Sequence, residues 1–308
     1  MTSYHYAIYD VFTGTRLEGN PLAVVFGADG LSDARMAMLA REFNLSETVF
    51  VLGSDNPGHT ARLRIFTPAR EMPFAGHPTV GTAVALGERM VEKGEVAADA
   101  DLVMMLDEVI GPVRCATRLV SGEPGFAEFD LPRLSRRLQA PLTSAEVGEA
   151  LGLSAHEIGF ENHVVSLWSA GVPFVLVPVH DLSVAARVEC NAALWQNIAP
   201  MGDGQLAHAY VYCRGGVHHD AAFHARMFAS EEGTVEDPAT GSAVAAMSGA
   251  IHHFDGVRDG HLALMIEQGV EMGRPSHIHL HLDCAGGKIS KARIGGQAVR
   301  IASGRLTL

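Results

Sequence analysis

Glu47, His77, Asp237 and Ser242 are side chains that can carry protons or hold anions, and each sits at a break between patterns. Glu47 lies in Asn44-Leu45-Ser46-Glu47-Thr48, between an amphipathic helical pattern and a β-rich run. His77 lies in Phe74-Ala75-Gly76-His77-Pro78, which leads straight into an apolar helical stretch. Asp237 and Ser242 flank a second such start, Asp237-Pro238-Ala239-Thr240-Gly241-Ser242. A helix start exposes unpaired backbone N–H groups at the positive end of the helix dipole, a seat for a small carboxylate. Proline favours the first helical position, so the spacing predicts a helix from Thr79 to about Glu92. The N–H groups of Val80, Gly81 and Thr82 would then point outward beside His77. A carboxylate such as Glu47, partly dehydrated beside another carboxylate, has its pKa raised toward neutrality, which suits a proton carrier. Each residue also has a plainer role open to it. Glu47 can be a solvated or capping acid, His77 a core-edge histidine, and Asp237 a helix N-cap.

The two helix starts resemble one another. A shift of 160 positions (237 − 77) lays Asp237-Pro238 on His77-Pro78 and Ala243-Val244-Ala245 on Ala83-Val84-Ala85. Upstream, Arg64-Ile65-Phe66 echoes Arg226-Met227-Phe228, and Gly19-Asn20-Pro21 echoes Gly171-Val172-Pro173. Three matches in one order imply a duplication of whole domains, because solenoid units are shorter.

The elements that must position these residues follow from periodicity. Ser32 caps a helix with an apolar stripe at Met36, Leu39, Ala40 and Phe43, ending at Asn44. Strands are expected over Tyr4 to Phe12, Leu22 to Phe26, Thr48 to Leu52 and Ala61 to Thr67, and later over Leu102 to Leu106 and Val113 to Leu119. The proline-containing segment from Pro124 to Pro141 is the expected hinge, dividing the chain into halves at 1–122 and 123–308, with the last strands able to return to the first half. In the second half, strands surround another apolar helix, Ala239 to roughly Ile251. A helix apolar on nearly all sides belongs in a core, so the expected fold is α+β, two barrel-like, mostly antiparallel sheets each around a central helix. Two such halves would bring the helix starts toward a shared cleft.

Composition narrows the function. With 308 residues, 47% hydrophobic and 19% charged, the chain is globular. A net charge of −12 argues against nucleic-acid or anionic-membrane partners. The N-terminus lacks signal-peptide features, no apolar run approaches a membrane span, and the four scattered cysteines read as reduced thiols of a cytoplasmic protein.

Together, Asn44-Leu45-Ser46-Glu47-Thr48, Phe74-Ala75-Gly76-His77-Pro78, Asp237-Pro238-Ala239-Thr240-Gly241-Ser242-Ala243 and Gln268-Gly269-Val270-Glu271-Met272-Gly273-Arg274-Pro275 resemble the PhzF phenazine-biosynthesis family of isomerases. The resemblance spans essentially the whole chain. It implies a diaminopimelate-epimerase-like fold, a homodimer, and a proton shift on a dihydro-hydroxyanthranilate-like carboxylate without metal or organic cofactor. It places the acid/base on Glu47 and substrate-orienting roles on His77 and Asp237. Substrate binding falls to Ser46, Gly76, Gly241 and Ser242.

Two rivals share this fold. An amino-acid epimerase would need an acid on each face of Cα, which the related epimerases supply as cysteines at both helix starts; neither start has one here. A non-catalytic scaffold would not be expected to keep Glu47, His77, Asp237 and Ser242 together. His277-Ile278-His279-Leu280-His281 places three imidazoles on one strand face, which an exposed polar face explains without a metal. The rings of His218-His219 and of His252-His253 are expected to diverge at the surface.

Overall fold

The computed structural model describes residues 2–139, 141–229 and 235–308. The chain forms two compact units, the first running to Pro132 and including Gly295–Leu308, the second being Arg133–Ile294. The expected boundary at 122/123 falls just before a strand of the first unit.

The first unit contains β1 (Ser3–Val11), β2 (Asn20–Phe26), α1 (Asp33–Phe43), β3 (Glu47–Leu52), β4 (Ala61–Phe66), β5 (Glu71–Met72), α2 (Gly76–Glu92), β6 (Ala100–Glu108), β7 (Gly111–Leu119) and β8 (Gly125–Asp130). The second contains β9 (Arg136–Leu138), α3 (Ser144–Leu151), β10 (Ser166–Ser169), β11 (Pro173–Pro178), α4 (Leu182–Ala186), α5 (Ala192–Ile198), β12 (Met201–Gly202), β13 (Gln205–Leu206), β14 (His208–Arg214), β15 (Phe223–Ala229), β16 (Val235–Asp237), α6 (Gly241–Phe254), β17 (Gly260–Gln268) and β18 (Ser276–Ala285). The last strand, β19 (Lys288–Thr307), starts in the second unit and ends in the first. Among the described residues no helix is long and apolar enough to cross a membrane.

The sheet of the first unit closes on itself. In order round the barrel, β1, β2, β3, β4, β6, β7, β8 and β19 each pair with the next, and β19 pairs back with β1. Closure removes the free edges an open sheet would expose. The barrel interior is filled by α2, whose residues Gly76 to Gly87 are all buried. Gly81 lets the helix lie this close: a Cβ there would meet Leu22 Cδ2 and Val11 Cγ2 at 2.6 Å. In the second unit α6 is the buried helix, packed on β9, β10, β11 and β18. Helices α3, α4 and α5 form a separate core around fully buried Trp195.

The duplication is visible in the pairing. Parallel β2–β3, antiparallel β3–β4, antiparallel β4–β5, parallel β4–β6 and antiparallel β6–β7 recur as β11–β14, β14–β15, β15–β16, β15–β17 and β17–β18. The repeated Arg-x-Phe has a clear task. Arg64 lies over Phe66 and bonds both oxygens of Glu71, at 2.7 and 2.6 Å. Arg226 lies over Phe228 and holds Glu236 at 2.8 and 2.9 Å. Each fork-shaped pair pins the short strand that leads into the central helix.

Two expectations about that helix need correcting. α2 begins at Gly76 with Ala75 as N-cap, so Pro78 is its third residue, where its missing N–H is still one of the unpaired four. α6 likewise begins at Gly241 with Thr240 as N-cap, not at Ala239. The outward N–H groups are therefore those of Gly76 and His77, not Val80, Gly81 and Thr82. The repeat register changes with them. Phe66 faces Glu71 and Phe228 faces Glu236, so with Gly76 matched to Gly241 the true shift is 165 positions (241 − 76). His77 then corresponds to Ser242, and Asp237 to Met72. The match at 160 came from the small-residue composition common to both helices.

Candidate active site

Glu47 is the first residue of β3, not a loop residue, and lies opposite Leu22 of β2. Its neighbour Ser46 is exposed. The α1 helix ends at Asn44, whose left-handed backbone (φ 50°) turns the chain sharply toward β3. Glu47 is left with a side chain 17% exposed, and its Oε2 lies 3.3 Å from Nδ1 of His77.

The imidazole of His77 is buried, and burial pushes its pKa down to about 3, with a hydrogen bond to the Pro21 carbonyl acting weakly the other way. At neutral pH the ring is uncharged, so its contact with Glu47 is a dipolar contact, not an ion pair. Because Pro21 offers a carbonyl, the bonded ring nitrogen must carry the proton. Nε2 is buried without a hydrogen-bond partner among the described residues, so the proton is on Nδ1 and Nε2 is a bare acceptor. A group that binds there must donate.

In the second unit Asp237, Gly241 and half-buried Ser242 surround the start of α6. Thr240 donates to Asp237 Oδ2 at 2.5 Å. Fully buried Gln268 ties this turn together. Its Nε2 donates to Asp237 O at 2.7 Å and to Thr240 Oγ1 at 3.0 Å, while its Oε1 accepts from Thr240 N at 3.2 Å and from the Tyr210 hydroxyl at 3.3 Å. Gly269 permits the close approach. It has φ +79°, and a Cβ there would meet Pro238 O at 2.6 Å and Arg274 O at 2.5 Å. Sequence reasoning singled out neither Thr240 nor Gln268 as a site residue, although both lie in the motifs that carry the resemblance.

The structure thus brings Glu47, His77 and Gly76 together in the first unit, and Asp237, Gly241 and Ser242 in the second. The cysteines lie elsewhere: Cys115 in β7, Cys213 in β14, Cys284 in β18 and Cys190 outside these elements. Burial pushes the Cys115 thiol up, away from the thiolate a proton carrier needs. The three alternate histidines of β18 share one face, as expected, but they are half-buried where an exposed face was expected. His218 and His219 depart from expectation, since their rings stack at 4.7 Å.

Comparison with known proteins bears on the family and the fold. The profile described as "PhzC-PhzF: Phenazine biosynthesis-like protein" matches residues 9–304. The chain is 54% identical to an uncharacterized isomerase of Mesorhizobium japonicum, covering 99% of both chains. It is 34% identical to the trans-2,3-dihydro-3-hydroxyanthranilate isomerase of Pseudomonas aeruginosa, covering 99% of this chain and 100% of that one. The crystal structure of a PhzF-family phenazine biosynthesis protein from Bacillus anthracis superposes with a TM-score of 0.86 at 26% identity, over 100% of each chain.

Proposed function

This chain belongs to the PhzC-PhzF family of phenazine biosynthesis-like proteins, and from that membership we propose that it is an isomerase that shifts a proton on a small, dihydro-hydroxyanthranilate-like carboxylate. The observation that carries the reading is the contact of the Glu47 carboxylate with an uncharged His77 at the start of the barrel helix.

In this mechanism Glu47 removes a proton from a ring carbon. The electron pair of that C–H bond moves into the conjugated system of the substrate. The glutamic acid returns the proton to another carbon of the same system, regenerating the carboxylate, so the product is an isomer and nothing is consumed. The neutral Nε2 of His77 accepts from a substrate amino or hydroxyl group and fixes which carbons face Glu47, a positional gain of the kind that lowers barriers without chemistry of its own. In the first unit the Gly76 N–H, and in the second the N–H groups of Gly241 and Ser242 with the Ser242 hydroxyl, each suit an anionic group. In the second unit Asp237, held by Thr240 and Gln268, is an acceptor for a donor group.

The test is Glu47→Gln assayed with trans-2,3-dihydro-3-hydroxyanthranilate in deuterated water. Retained fold with loss of turnover and of deuterium incorporation is expected, by at least 100-fold. Full activity in that variant would sink the proposal.

A further inference from the structure

Glu108 ends β6 inside the barrel of the first unit, and the mechanism above leaves it without a task. It is buried, 8% exposed. Its Oε1 lies 2.7 Å from the hydroxyl of fully buried Thr79, and that hydroxyl also lies 2.8 Å from the carbonyl of Ala75, the N-cap of α2. Glu108 Oε2 is buried with no hydrogen-bond partner among the described residues. A threonine hydroxyl has one proton, and the Ala75 carbonyl also accepts the Thr79 N–H at 3.2 Å. An ionised Glu108 could take the hydroxyl proton, but its second oxygen would carry charge while buried with no donor, a conflict between charge and burial. A protonated Glu108 removes the conflict. It donates to Thr79 Oγ1, and Thr79 donates to Ala75.

The second unit solves the same problem with a residue that cannot ionise. Ala61 faces Leu106 in the first unit and Phe223 faces Ile266 in the second. Two residues further along stand Glu108 and Gln268 respectively. Gln268 bonds Thr240, the N-cap of α6, as Glu108 reaches Ala75 through Thr79. The neutral amide and the carboxyl therefore hold equivalent helix starts.

We propose that Glu108 is kept as an un-ionised carboxylic acid and is a positioning residue that holds the α2 start, so that the Gly76 N–H and the His77 ring keep their aim. Its ionisation would release them. Burial pushes its carboxyl up to about 8, against a smaller downward pull from Thr79. The groups around it are Thr79 on α2 and Cys115 on β7, whose thiol also feels Asp130 of β8 and Arg114 of β7. Among the described residues none of these groups is a cation in contact with Glu108.

The activity part of this inference rests on the proposed function; the stability part does not. Because the folded-state pKa lies above the unfolded value, the folded protein binds the extra proton between about 4.5 and 8. Stability from this group is therefore complete below the unfolded pKa and lost as pH rises through about 8. The experiment compares wild type, Glu108→Gln and Glu108→Ala by melting from pH 5 to 9.5 and by turnover of trans-2,3-dihydro-3-hydroxyanthranilate. The glutamine variant should melt higher than wild type at pH 9 and lose much of the alkaline decline. What remains includes His224, where burial opposes the stronger upward pull of Glu267 and Glu271, leaving it at about 9; it is present in all three proteins. Alanine should lower kcat more than tenfold, glutamine should restore it to within about threefold at pH 6, and the wild-type fall in kcat near pH 8 should vanish in the glutamine variant. Identical pH–melting curves for wild type and Glu108→Gln overturn the proposal, as does a glutamine variant as inactive as alanine. If no protein turns over the substrate, the melting curves still decide the ionisation state, and the fault lies with the proposed function.

Discussion

At the scale of single residues, the site depends on charge states that are set by burial. His77 looks like a group that would switch at physiological pH, yet desolvation holds it neutral with a pKa near 3. Nuclear magnetic resonance of ring nitrogens should therefore show no His77 titration between pH 5 and 8; a midpoint near 6.5 would contradict the neutral-acceptor role. The sign of the linked stability follows. Its folded pKa lies below the unfolded one, so the unfolded chain binds more protons between about 3 and 6.5. Stability from His77 is complete above pH 6.5 and is lost as pH falls toward 3. In His77→Asn the acid loss measured by urea unfolding should shrink. The candidate residues Glu47, His77, Asp237 and Ser242 were legible because their local text is unusual. Glu108 and Gln268 were not, because their partners Thr79 and Thr240 are 29 and 28 positions away.

At the scale of elements, the helix starts are what the fold delivers. Each short strand, held by an Arg–Glu fork, feeds a cap, and each cap is braced from the end of a neighbouring strand. The brace in the second unit needs glycine at 269, where the backbone has φ +79° and the carbonyls of Pro238 and Arg274 leave no room for a Cβ. Gly269→Ala should cost roughly 2 kcal/mol or more of stability, read by urea unfolding. It should also raise KM, because the strain falls on the turn carrying Asp237. Unchanged stability would mean that the turn relaxes freely. Periodicity located α1 with its Ser32 cap and Asn44 stop. It misjudged the start of α2, because proline fits any of the first three helical positions and the pattern does not choose among them.

At the scale of the whole molecule, the chain is a duplicated α+β fold in which the segment Gly295–Leu308 belongs to the unit formed by the N-terminal residues. Nine residues of β1 are paired along β19. Deleting 295–308 should open the barrel, expose the edges of β1 and β8, and abolish hydrogen-exchange protection in β1, while amides of β14 and β15 keep theirs. Protection retained in β1 would show that the barrel does not depend on that closure. The sequence by itself determined the family, the duplication and the candidate site residues, because these reside in local motifs and their order. Only the tertiary structure decided the repeat register, the uncharged state of His77 and the bracing roles of Glu108 and Gln268. Those depend on strand pairing, desolvation and hydrogen bonds between residues far apart in the chain.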